Sequence, residues 1–330
     1  MSLVRRAVID VGTNSVKLLV ADVAGAEVLP VREDSKQTRL GRGFFETHQL
    51  QPEAIAATAL AVMRFAEAAR ALQVASIRVI ATSAARDATN PAALTSAIRD
   101  ASGLPLEIIS GDQEADWAFQ GVNTDPVLAQ LPLLMLDVGG GSTEFILGQG
   151  EQKHFRKSFR LGTVRLLETI PPSDPPTKAE FSETRQWLRE FIALKIGPEL
   201  QPALRREVGL HAAHKPVELV GTGGTSSILA RMESELENYD RQRIEATRLT
   251  LDRVRWHNER LWTLPLERRQ DIVGLPRTRA DVILTGVAIL EAVMECLGFH
   301  ELRVSTRGLR FAAVMIEPAV LSAPEESLLQ

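Results

Sequence analysis

The chain carries the same short passage twice. RAVIDVGTNSVKLLV (residues 6–20) and LLMLDVGGGSTEFILG (residues 133–148) each run an apolar strand into an aspartate, then a turn of small residues, then a second apolar strand. At an offset of 127 (137 − 10), Asp10 falls on Asp137, Val11 on Val138, Gly12 on Gly139 and Ser15 on Ser142. Ile9 likewise meets Leu136, and Leu19 meets Ile146. No other feature limits the fold as much. It predicts two related α/β domains facing each other across a cleft. A length of 330 residues suits two domains better than one core.

The remaining pattern fills in both halves. Short strands are expected at 7–11, 16–22, 27–31, 77–81 and 106–109 in the first, with helices at 52–72, 91–102 and 112–122. Pro52 suits a first helical turn and Gly103 a stop. Strands at 133–136, 145–147, 154–161, 217–220 and 301–305 are expected in the second, with a helix after GTGGTS (221–226), one over 279–297 and one from Gly308. The boundary falls in the Gly, Asn, Asp and Pro residues near 124–131. The first domain is therefore expected over 1–124 and the second over 125–307, with 308–330 completing the first and a frayed tail after Pro318.

Composition excludes several classes. The chain is 45% hydrophobic and 24% charged, with a formal charge of −4, which argues against a nucleic-acid coat or an anionic-membrane binder. No apolar run is long enough to span a bilayer, and no charged-then-apolar leader precedes the first strand. The single Cys296, expected to be buried in a helix, makes no internal disulfide. A cytoplasmic protein is the expectation. His48, His211 and His214 lack ligand spacing and are expected to be solvated.

The turn residues suggest the chemistry. A turn of small residues exposes several backbone N–H groups in a small concavity, a nest for phosphate oxygens that glycine lets approach closely. GTGGTS adds a third such loop at a helix N-terminus. Aspartates beside phosphates need an offsetting charge, and a divalent cation supplies it. Asp10 and Asp137 sit at strand ends, and Glu144 returns on the next strand. Three oxygen donors of this kind suit Mg²⁺, or Mn²⁺, rather than zinc. Lys17 holds the place in the first repeat that Glu144 holds in the second, which suits one metal site and not two.

At these residues the chain resembles the actin-like superfamily of sugar kinases and heat-shock chaperones. TSAARDATN, IISGDQEADWAFQGV, RLGTVRL, RADVILTGVAIL and RVSTRGLRFA narrow the resemblance to the exopolyphosphatase/guanosine-pentaphosphate phosphatase (Ppx/GppA) family, from about residue 7 to about residue 313. The resemblance implies two actin-like (ribonuclease H-like) domains with βββαβαβα cores flanking a central cleft. It implies Mg²⁺-dependent hydrolysis of a terminal phosphoanhydride by water. Carried over by motif, Glu114 activates that water, Asp137 and Glu144 bind metal and orient it, and Arg86 lies on a phosphate. Asp10, Gly12, Thr13, Asn14 and Ser15 form the first phosphate loop. Gly139, Gly140, Gly141 and Ser142 form the second, and Gly221, Thr222, Gly223, Gly224 and Thr225 the third. Other readings stay open. Glu114 could simply complement the helix dipole beside a Ser110/Gln113 capping box, Arg86 could pair with Asp87 or Asp116, and Glu144 could be an exposed strand residue. Gln113 also stands where family members often carry an acid.

Three functions follow: release of orthophosphate from polyphosphate, conversion of guanosine pentaphosphate to tetraphosphate, or non-catalytic sensing of such polyanions. The basic residues Lys153, Arg156, Lys157, Arg160 and Arg165, with Lys36, Arg39, Arg42, Arg277 and Arg279, could line a cleft rim for a polyanion. One tyrosine, Tyr239, and 5% aromatics give no obvious shelf for a guanine. A homodimer is implied by the resemblance alone.

Overall fold

The computed structural model describes residues 2–211 and 216–317, with the side chains of Leu210 and His211 excepted. His214 and the expected tail after Pro318 lie outside the described residues. The first sheet contains β1 (Val4–Val11), β2 (Ser15–Ala24), β3 (Glu27–Gln37), β4 (Ser76–Ala81) and β5 (Leu106–Ile108), in the order β3-β2-β1-β4-β5. The second contains β6 (Leu133–Val138), β7 (Thr143–Gln149), β8 (Gln152–Phe159), β9 (Glu218–Thr222), β10 (Arg248–Thr250) and β11 (Glu301–Val304). Its order, β10-β11-β9-β6-β7-β8, repeats the first with β10 added at the far edge. In both sheets an antiparallel β-meander is followed by strands parallel to its first member.

Apolar residues on both faces of the central strands explain why each sheet is covered on two sides. Pro52–Ala71 and Pro91–Ser102 bury Val62, Ala66, Leu94 and Ile98 on one face of the first sheet. The very apolar helix Ile283–Leu297 sits in the main core of the second. The expectation had this helix starting at residue 279. It starts at Ile283 because Arg277–Arg279 form a separate 3-10 turn after the extended Pro276. The short β10 and the short helices Phe44–Thr47 and Ser83–Asp87 escaped the sequence reading, since three to five residues show no periodicity. Cys296 is partly buried in its helix, and His48 is exposed.

Two helices tie the halves together. Gly111–Val122 packs Ala115, Ala118, Phe119 and Val122 against Leu133, Met135, Ile146 and Val220 of the second sheet. Leu309–Met315 packs Leu309, Phe311 and Val314 against Val8, Leu19 and Ile80 of the first. Each helix thus covers the sheet nearer the other end of the chain. They touch at Gly121, where a Cβ would lie 2.0 Å from the Gly308 carbonyl oxygen. Glu114 on the first helix and Gly308 before the second line the same cavity. Among the described residues no helix is long and apolar enough to cross a membrane.

Candidate active site

The repeated turns are built alike. Gly12 N–H donates to Ser15 O at 3.0 Å, and Gly139 N–H donates to Ser142 O at 3.0 Å. The aspartates end β1 and β6, and each faces one residue of the returning strand, Asp10 opposite Lys17 and Asp137 opposite Glu144. Three consecutive glycines in the second turn have a specific cause. A Cβ on Gly140 would stand 2.9 Å from Thr13 Cβ, and one on Gly141 would stand 2.5 Å from Ser83 Oγ. The second loop is pressed against the first half of the molecule, and any side chain would hold them apart. Gly223 is constrained twice: its φ is +79°, and a Cβ would lie 2.1 Å from Asp137 Oδ1.

These loops enclose a cavity of about 100 Å³. Asp10, Gly12, Thr13, Asn14, Ser15, Glu114, Asp137, Gly139, Gly140, Gly141, Ser142, Glu144, Thr222, Gly223 and Gly224 all line it. Three expected residues do not. Gly221 lies within β9 beside Leu136, and Thr225 turns inward to donate to Val138 O at 3.0 Å, so the third loop presents only its central part. Arg86 sits behind the cavity wall. Its guanidinium donates to Glu114 Oε2 at 2.9 Å and to Ile109 O at 3.2 Å, in place of the surface pairing with Asp87 or Asp116. Asp87 pairs with Arg165 and Arg160, and Asp116 with Lys153 and Arg156. Much of the basic stretch 153–165 is thereby paired, though two acids face four cations.

Glu114 occupies the first turn of Gly111–Val122, whose N-cap Ser110 accepts from Gln113 N–H at 3.1 Å. Burial pushes its carboxyl up to about 7 despite the opposing charge and hydrogen bond of Arg86, and Asp137 and Asp10 add to the rise. Glu144, far from being exposed, is 1% accessible. Burial and the nearby Glu114 raise its carboxyl well above the usual range, while Ser158, donating at 2.7 Å, partly offsets this. Burial also raises Asp10 and Asp137, and Lys17 works against it in both. Burial in turn lowers Lys17, opposed by Asp10. The acids therefore form two groups, Asp10 and Asp137 around Lys17, and Glu114 with Glu144 behind them.

Among the described residues no three His, Cys, Asp or Glu side chains assemble as a metal cage, so the expected set Asp10, Asp137 and Glu144 is not preformed. The donor chemistry nevertheless fits Mg²⁺. Asp10 Oδ1 is buried with no hydrogen-bond partner, and burial raises all four carboxyls, a cost that a bound cation would offset. Mg²⁺ commonly takes one or two carboxylates and completes its shell with water and substrate phosphates.

Sequence reasoning missed Arg310, Ser83, Thr306 and Gly308, and counted Arg279 only as a rim charge. Arg310 and Arg279 line the cavity, and Arg279 donates to Ser15 Oγ at 3.0 Å across the cleft. The strand-to-helix turn STRGLR repeats the small-residue pattern of GTGG and was the available signal. A second cavity of about 420 Å³ adjoins the first through Ser15, Lys17, Gly223, Arg279 and Arg310, and Tyr239 and Ile228 stand on its wall.

Two actin-like domains closing glycine loops and buried carboxylates on one small cavity define a phosphoryl-handling enzyme of hydrolytic type. The chain belongs to the Ppx/GppA phosphatase family, which it matches over residues 19–315. It is 36% identical over 318 residues to Exopolyphosphatase 2 of Mycobacterium tuberculosis, covering 92% of this chain and 96% of that one. To Exopolyphosphatase 1 of Mycobacterium bovis it is 27% identical, covering 94% and 87%. The crystal structure of the Aquifex aeolicus member of the Ppx/GppA family is similar with a TM-score of 0.74 at 28% identity, covering 95% of this chain and 97% of that one. The protein is thus a hydrolase acting on phosphoanhydride bonds.

Proposed function

We propose that the protein is an exopolyphosphatase that removes the terminal phosphate of inorganic polyphosphate. The observation that carries this reading is the position of Glu114, a carboxyl pushed up to about 7, on the wall of a cavity where the glycine-bearing turns meet Lys17, Arg279 and Arg310. The terminal phosphoryl group sits between the two repeated turns, whose N–H groups and the Lys17, Arg279 and Arg310 side chains offset its charge. Glu114 takes a proton from a water, the water oxygen bonds to phosphorus, and the bridging P–O bond breaks. Orthophosphate and a chain one unit shorter result. Arg86 keeps enough of Glu114 ionised to act as base at neutral pH and fixes its orientation. Asp10 and Asp137 would hold Mg²⁺, with Glu144 beside Asp137, and the ion would neutralise charge on the phosphates. The domains proposed for this task are 1–124 and 125–307, with the Leu309–Met315 helix completing the first.

A second reading draws on Tyr239. Together with Ile228 it gives the adjoining cavity an aromatic and aliphatic wall beside the phosphate loops, which suits the base of guanosine pentaphosphate. Phosphate release from polyphosphates of several lengths and from guanosine pentaphosphate, measured side by side with Mg²⁺, decides between them. Release from polyphosphate is expected to dominate. Preference for the nucleotide selects the second reading, and no release from either, with tight binding of both, leaves a sensor.

A further inference from the structure

Two further cavities share wall residues with the catalytic one. One is the cavity beside Tyr239. The other, of about 370 Å³, lies behind the two glutamates and has Arg86, Lys157, Ser158 and Arg160, with the acids Asp87 and Asp112, in its wall. Arg86 and Ser158 are the partners of Glu114 and Glu144, so this cavity faces the carboxylates from the rear. Ser83 and Ser142 line both it and the catalytic cavity. Ser83 is only 3% exposed, and its Oγ has no hydrogen-bond partner. A buried, uncommitted hydroxyl on the wall between two cavities suits a polar group passing from one to the other.

The in-line course of phosphoryl transfer gives the two cavities different roles. Attacking and leaving oxygens stand on opposite sides of phosphorus. With Glu114 as base, the water is on the glutamate side and the bridging oxygen on the other. The rest of the substrate then extends toward Lys17, Arg279 and Arg310 and fills the cavity beside Tyr239. Once the bond breaks, orthophosphate cannot leave that way while the shortened chain remains. The rear cavity is the free route. Its wall sets the cations Arg86, Lys157 and Arg160 against the acids Asp87 and Asp112, and Lys157 and Arg160 are further paired with Glu199 and, at 3.7 Å, with Asp87, so the small positive excess admits a phosphate anion without trapping it.

We propose that the opening bounded by Ser83, Arg86, Lys157 and Arg160 is a separate port of the active site, admitting water and releasing orthophosphate while the shortened chain stays bound. This rests on the assignment of Glu114 as base. The test uses the full chain carrying Lys157→Glu and Arg160→Glu together, with Arg160→Ala as a milder variant and melting temperatures to confirm folding. On long polyphosphate the double variant should lose kcat about tenfold with KM unchanged within twofold. Inhibition by added orthophosphate should weaken several-fold in both variants. A KM that rises with polyphosphate length would mean that the polymer itself uses this opening and would overturn the proposal. So would unchanged kcat and unchanged phosphate inhibition. Failure of the underlying reading looks different: the wild type releases no phosphate, or Glu114→Gln turns over as fast as wild type.

Discussion

The two hairpins share a register and differ in charge. In the first, Asp10 faces Lys17, and the pair cancels. In the second, Asp137 faces Glu144, and the charges add. The turns between them close with the same hydrogen bond at the same length. Duplication therefore supplies two equivalent cradles of amide groups, and one position in each hairpin assigns the halves different work. In the proposed mechanism the Lys17 side would hold phosphate, and the Glu144 side, with Glu114 behind it, would activate water and take the cation.

The largest expected effect of a substitution comes from removing the proposed base of the acidic half. Glu114→Gln should lower kcat by about 10²–10⁴-fold, with KM for polyphosphate little changed. Stopped-time phosphate release checks it, and equal turnover in the variant would remove Glu114 from the mechanism. Gly223→Ala should follow, losing about a hundredfold in kcat/KM. Its Cβ would displace Asp137, and its φ of +79° disfavours any side chain. The matched substitutions Gly12→Ala and Gly139→Ala meet only a turn carbonyl, at 3.2 and 3.0 Å, and should be milder and similar to each other. A large difference between those two would break the equivalence of the cradles.

Making the halves more alike is a sharper test. Lys17→Met removes the ammonium shared by Asp10 and Asp137, and should raise KM about tenfold while changing kcat less. A fall in kcat alone would place Lys17 in the chemical step instead. The smallest effect concerns pH. Glu114 must be ionised to act as base, so kcat/KM should rise with pH through about 7 and level off above it. Arg86 holds that carboxyl down, so Arg86→Gln should move the rise to higher pH. Chelation by EDTA should abolish release, and added Mg²⁺ should restore it. Persistence of full activity would remove the ion from the mechanism.

Much of this was legible in the chain. The aspartate-turn-strand repeat announces the duplicated hairpins, because their chemistry is local: strand propensity, a small-residue turn and an acid at the strand end. The helix Pro91–Ser102 shows the same, bounded by its own Pro and Gly. Placement across the cleft was not legible. Arg279 was readable only as a basic loop residue, yet it reaches Ser15, 264 positions earlier. Arg86 was expected on a phosphate by motif, but its helix sets it behind Glu114. Thr225 carries the right side chain for a phosphate loop and spends its hydroxyl on Val138.

By itself the sequence determined two sheets of one design, three glycine-bearing loops and the three acids Asp10, Asp137 and Glu144. Each of these depends on residues within one turn or one strand pair, where periodicity and turn chemistry act directly; Glu114 came only from the family resemblance. The tertiary structure decided which charges meet. It set Lys17 among two aspartates and Arg86 on Glu114, and it spent the basic stretch 153–165 largely on acids. Those outcomes follow from how elements far apart in the chain are brought together, because electrostatic energy in a buried site depends on distances of a few ångströms that no sequence separation encodes.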